Sequence, residues 1–252
     1  MAVGHQLACG HYPAGMSDDE PLYGAQHVLC VLGAGPDLGT IGALGADAGF
    51  RLDREYSSDA PDEAMPAAFR ACADATFGED DRDAVAAHGS VGYLVGPRFL
   101  PPGTEDAVAR RALALVADVL RAGAVAVKHE SSLVAHGRER WLALAADGDT
   151  AGAFVRLPIR SGNLLYSTGM HLLGRPDVEL AHDGDRTRVP EWVELMHALV
   201  AYQVVDDEPM ADGEGFRLAP DAPRWVLRRT GCTRFEPDDL SYNPYGYWRL
   251  EP

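Results

Sequence analysis

A chain of 252 residues, 46% hydrophobic and 24% charged, has the make-up of a globular protein with enough length for one large core or two small ones. A formal net charge of −16 works against binding a nucleic-acid backbone or an anionic membrane surface, both of which need clustered Lys and Arg, and leaves a basic partner as the natural counterpart. The opening MAVGHQLACGHYPAG reads as neither an export leader nor a membrane span, and no apolar run reaches the spanning length, so the expected location is the cytoplasm.

Taken in chain order, residues 1–25 are rich in Gly, Pro and acid and read as an irregular lead-in. The apolar run from His27 to Leu32 reads as a buried strand. It is followed by Gly33-Ala34-Gly35-Pro36-Asp37, in which Pro36 suits a first helical turn and Gly49 the helix exit. Phe50 to Tyr56 then alternates like a half-buried strand. The glycines at 33, 35 and 39 invite comparison with a dinucleotide loop, but Leu38 stands where the third glycine belongs and acid crowds the vicinity. A tight strand-to-helix turn accounts for the pattern, and no cofactor is expected.

A second helix is expected over Glu63 to Phe77 with Pro66 in its first turn, then a strand over Ser90 to Val95. The strongest periodicity follows Thr104: Val108, Ala112, Leu115, Val116, Val119 and Leu120 recur at three- and four-residue steps, with Glu105 and Asp106 in the first turn. Gly123 closes this core-facing helix, and Ala124 to Val127 forms a short apolar strand. Lys128 to Ser132 leads into a helix expected to run to Ala146. Phe154 to Thr168 suits strands joined at Ser161-Gly162-Asn163, and Asp177 to Leu180 suits another. Pro190 opens a helix with Trp192, Met196, Leu199, Val200 and Gln203 along one side. Ser241 to Leu250 packs four aromatics around an Asn-Pro turn, as a last strand closing a core would, although aromatics also favour interfaces. No repeat or linker divides the chain. The expectation is a single α+β domain over 26–252 with a mixed, largely antiparallel sheet and helices packed against it.

The landmark order from Leu115 to Tyr202 resembles a bacterial family known as domain of unknown function 4261. The resemblance rests on the helix before Gly123, the strand Ala124 to Val127, and Leu157-Pro158-Ile159. It continues through Tyr166-Ser167-Thr168-Gly169-Met170, Leu173-Gly174-Arg175-Pro176-Asp177-Val178-Glu179 and the helix ending near Tyr202. It covers about the C-terminal two thirds and implies no activity. Lys128 to His136 departs from the family pattern, so chemistry placed there would belong to this subgroup alone.

That stretch is also where reactive side chains concentrate: Lys128, His129, Glu130, Ser131 and Ser132 end an apolar strand, and His136 follows. Strand alternation puts Lys128 and Glu130 on one face and His129 on the other, with His136 approaching from the following helix. Lys128 is the only lysine in the chain, and an ammonium, unlike a guanidinium, can lose its proton when desolvated. His171 is a further candidate. The competing reading is structural: a Lys128–Glu130 ion pair, Ser131 or Ser132 capping a helix, and His136 on that helix's surface. His-Glu with a second His seven residues on is not a metal-binding H-E-x-x-H, and Ser167 lacks a Gly-x-Ser-x-Gly frame, so no metal site is expected. Cys9, Cys30, Cys72 and Cys232 lie far apart and read as reduced, mostly buried thiols. The acidic runs at 18–20, 79–81, 206–208 and 238–239 read as solvated loop and helix-end charge that sums to a negative field.

Two functions follow from these residues. One is a non-catalytic protein that binds a basic protein partner, in the manner of an immunity protein or antitoxin. The other is a small-molecule hydrolase or transferase using Lys128, Glu130 and His136 as an acid-base group, with His129 or His171 assisting.

Overall fold

The computed structural model describes residues 26–252 except Pro36, Pro102, Asp207 and Glu208. The lead-in at 1–25, Cys9 and the first-turn reading of Pro36 lie outside the described residues. Among the described residues no helix is long and apolar enough to cross a membrane.

The fold is α+β, with its strands divided between two sheets where one was expected. The first sheet has the order β2-β3-β1-β4-β5, built from β1 (Val28–Gly33), β2 (Arg51–Leu52), β3 (Ser90–Val95), β4 (Ala124–His129) and β5 (Val134–Gly137). Every residue of β1 is buried, as its unbroken apolar run requires of a strand covered on both faces. Leu29 and Val31 face α1 (Leu38–Asp47) and α4 (Glu105–Arg121), whereas Cys30 and Leu32 face α2 (Met65–Cys72) and α3 (Glu79–Ala86).

Helix α4 buries all six of the residues that recur along its apolar stripe, each worth about 1.5–3 kcal/mol for a Val or Leu removed from water. It is the spine of a core that runs on through α5 (Arg138–Asp147) and α6 (Thr150–Phe154) into the second sheet. That sheet has the order β6-β7-β8-β11-β10-β9. Its strands are β6 (Arg156–Ser161), β7 (Leu164–Thr168), β8 (Asp177–Ala181), β9 (Gly215–Phe216), β10 (Trp225–Thr230) and β11 (Tyr247–Glu251). α7 (Val189–Ala201) packs on it through Trp192, Leu195, Met196 and Leu199, with Pro190 in its first turn. All pairings are antiparallel except β8 with β11.

The aromatic tail closes the sheet: Tyr247 and Trp248 are buried in β11, and Tyr245 donates its hydroxyl to Glu105 at the start of α4, 2.6 Å away. The strand expected over Phe50 to Tyr56 shrinks to Arg51–Leu52, because Asp53 turns the chain by accepting the Glu55 amide. The Glu79-Asp80-Asp81 run proves to be the first turn of α3, where negative charge opposes the helix dipole.

One buried carboxylate joins three segments. Asp177 accepts hydrogen bonds from Ser167 Oγ at 2.7 Å, Asn243 Nδ2 at 2.6 Å and the Met170 amide at 3.3 Å. These bonds tie β7, β8 and the tail. Removing the acceptor strands three buried donors, so Asp177→Ala is expected to lower the unfolding free energy by about 3 kcal/mol in urea denaturation. A loss below about 1 kcal/mol would show the clip to be dispensable.

Candidate functional site

The antiparallel register across β1, β4 and β5 decides which candidate side chains can meet. Cys30 and Ala135 lie opposite Lys128, Leu29 and Val134 lie opposite His129, and Val127 lies opposite His136. Residues directly opposite share a face. Lys128 therefore projects toward α2 and α3, while His129 and His136 project toward α4 and α6. The sheet separates the lysine from all three candidate histidines.

On the α2 face, Lys128 Nζ lies 2.6 Å from Glu130 Oε1, as alternation anticipated. Burial pulls the ammonium's pKa down, but the charge and hydrogen bond of Glu130 outweigh it, and the net shift is upward. Lys128 thus holds its proton more firmly than free lysine, the opposite of what a lysine base needs. Cys30 and Cys72 are free thiols; burial pushes the Cys30 thiol up to about 12, which keeps it protonated and unreactive.

On the opposite face the histidines are sealed in the core. His27 Nδ1 and His129 Nε2 share a hydrogen bond of 3.0 Å, and Phe154 packs edge-on against both rings. His136 is not on a helix: Val134–Gly137 is a strand, and the His136 Nε2 lies 3.2 Å from the Ala153 carbonyl. His171 occupies the turn Met170–Leu173, entered by Gly169 at φ +109°, where any Cβ would collide with the Phe154 carbonyl oxygen. Neither Ser131 nor Ser132 caps a helix. The Ser131 hydroxyl donates to the Gln26 carbonyl at 2.6 Å, and the Ser132 carbonyl accepts from Thr168.

Burial lowers every one of these imidazoles: His27 to about 3, with His171 adding repulsion, His171 to about 4, and His129 and His136 in the same direction. The group is neutral and closed to solvent. Among the described residues no group of three or more His, Cys, Asp or Glu side chains is arranged to hold a metal ion. No family model, no curated protein and no solved structure matches the chain.

Two features escaped the sequence reading. His27 looked like no more than the edge of a strand, and nothing marked it as the partner of a residue 102 positions away. The second is a concave site on the second sheet, of about 240 Å³, lined by Arg175, Gln203, Met210, Arg229 and Trp248 among others. Its residues come from four separate segments, with no local motif.

The histidines set the acid limit of the fold. In the unfolded chain His171 takes up a proton near pH 6.5, but in the folded protein only near 4, so the unfolded state binds more protons between those values and gains on the folded one. Stability from this residue is complete above about pH 6.5 and falls by about 3 kcal/mol by pH 4. Asp177, raised to about 7 by burial against the pull of its donors, contributes with the opposite sign, since its share is lost as pH rises through 7. Comparing His171→Leu with the parent at each pH cancels the aspartate. The variant is expected to lose less stability than the parent between pH 7 and 5, and parallel curves would refute the assignment.

The ion pair is testable by a double-mutant cycle. Glu130→Leu leaves a buried ammonium without its counter-charge and is expected to cost about 2–3 kcal/mol, while adding Lys128→Met to it restores most of the loss. Additive losses in urea denaturation would mean that the two residues do not act as a pair.

Proposed function

We propose that this protein acts by binding a basic protein partner rather than by catalysis, in the manner of a cytoplasmic immunity protein or antitoxin. One observation carries this reading: the layer that covers the outer face of the first sheet is strongly acidic. From Arg51 to Gly89, a span that includes α2 and α3, ten Asp and Glu stand against four Arg, a net of −6 within the chain's −16. Glu63, Asp74, Glu79, Asp80 and Asp83 are all exposed on it. Such a surface accelerates encounter with a cationic one.

The tail aromatics lend this reading nothing, because Tyr242 and Tyr245 are half-buried and Tyr247 and Trp248 are buried. The hydrolase or transferase alternative loses its geometry. Its lysine and histidines lie on opposite faces of a sheet, the lysine is held protonated by Glu130, and the histidines are closed to substrate.

The test is surface plasmon resonance against each basic protein encoded beside this gene, at about 50 and 300 mM NaCl. Binding is expected to weaken at the higher salt and to lose roughly tenfold in on-rate in Glu63→Gln/Asp80→Asn/Asp83→Asn. The control Glu194→Gln/Asp221→Asn/Glu236→Gln removes the same charge elsewhere and is expected to bind nearly as the parent does. Equal losses in both variants would reduce the effect to net charge, and salt-independent binding would remove the electrostatic basis altogether.

A further inference from the structure

The concave site on the second sheet is unrelated to the acidic layer and has a different chemistry. Arg229 and Trp248 are directly opposed in β10 and β11 and share a face, with the guanidinium 5.0 Å from the indole centroid. Among the described residues, two nearby carboxylates are engaged elsewhere. Asp212 accepts the Arg229 backbone amide at 2.8 Å and approaches Arg228 Nη1 at 3.5 Å, and Glu251 approaches Arg228 Nε at 3.5 Å. Among the described residues the exposed Arg229 side chain makes no ion pair, and desolvation lowers its pKa.

Gln203 completes the site. It lies in the π-helical turn Tyr202–Asp206 beyond α7, is 3% exposed, and has both its amide nitrogen and its amide oxygen buried without a hydrogen-bond partner. A buried amide left in that state is destabilising, so its retention calls for a reason. The backbone carbonyl of Gln203 accepts from Arg175 Nε at 3.3 Å, and Arg175 also lines the cavity.

We infer that this cavity binds a small organic anion, a carboxylate or phosphate group received by Arg229 and hydrogen-bonded by the Gln203 amide, with Trp248 as its floor. A guanidinium offers a planar fork of donors to such an oxyanion, and an amide supplies both a donor and an acceptor for the atoms beside it. At about 240 Å³ the site is smaller than a drug-sized pocket and suits a compact acid rather than a dinucleotide.

The experiment is an NMR titration of the full chain, following the indole N–H of Trp248, assigned by its loss in Trp248→Phe. Sodium phosphate and sodium succinate are the probes and sodium chloride the control. A saturable shift with a midpoint below about 10 mM is expected for at least one probe, weakened roughly tenfold in Arg229→Gln. Phosphate alone, succinate alone or both would support the site and name its oxyanion. No saturation with either, a response to chloride of the same size, or undiminished binding in Arg229→Gln would overturn it. Gln203→Leu gives a second readout, since replacing an unpartnered buried amide with an apolar isostere is expected to raise the melting temperature while weakening the anion. A Gln203→Leu protein that melts lower and binds normally would assign the amide to structure instead.

Discussion

The pairing of β4 against β1 in the middle of the five-stranded sheet is the constraint on which the rest of the molecule depends. β1 is buried on both faces, so its neighbour's side chains must also be absorbed on both. At Ala126 and Val127 this is simple, but the same strand goes on to Lys128 and His129. Helices lie on each side, and each polar residue is therefore met separately: the lysine by Glu130, the histidine by His27. A one-residue slip in this register would exchange the two and put an ammonium among Phe50, Phe154 and Trp141. The polar residues at the strand's end thus oppose misregister while adding little stability of their own.

The histidine group shows the cost of that arrangement. Ring nitrogens of His27, His129, His136 and His171 lack hydrogen-bond partners, as does the hydroxyl of Ser132. Aromatic contacts offset part of the loss: Phe154 touches His27, His129 and Trp141, and Trp141 touches His136. A neutral imidazole packed edge-on against a ring behaves as a modest hydrophobe, but a protonated one cannot be held there. The core is therefore assembled from residues whose compatibility with burial depends on pH.

Much of this was legible in the sequence, in proportion to how local the governing physics is. The α4 stripe, Pro190 opening α7, and the β6–β7 turn at Ser161-Gly162-Asn163 are fixed by periodicity and turn chemistry within a few residues, and each lies where those rules put it. The Lys128–Glu130 pair followed from alternation alone. His136 did not, because Val134–Gly137 is too short to show a period, and it is a strand only because β4 offers it an edge. The division of strands between two sheets was invisible for the same reason, since it depends on β8 pairing with β11, some 70 residues away. The concave site with Arg175, Gln203 and Arg229 escaped on the same ground: its parts have no relation until the sheet brings them together.

Charge ties the two functional readings together through opposite demands. A chain of −16 draws a cationic protein toward α2 and α3 over long range, and the same field repels a small anion. At physiological ionic strength that field decays over about 8 Å, whereas contacts inside a partly desolvated cavity are screened far less. An anion-binding arginine in such a protein must therefore work at contact distance, on a local shelf such as Trp248, with Asp212 and Glu251 engaged by Arg228 and by the backbone. Salt should then act in opposite directions at the two places, slowing the approach of a basic protein while relieving the repulsion that a small anion meets on its way in.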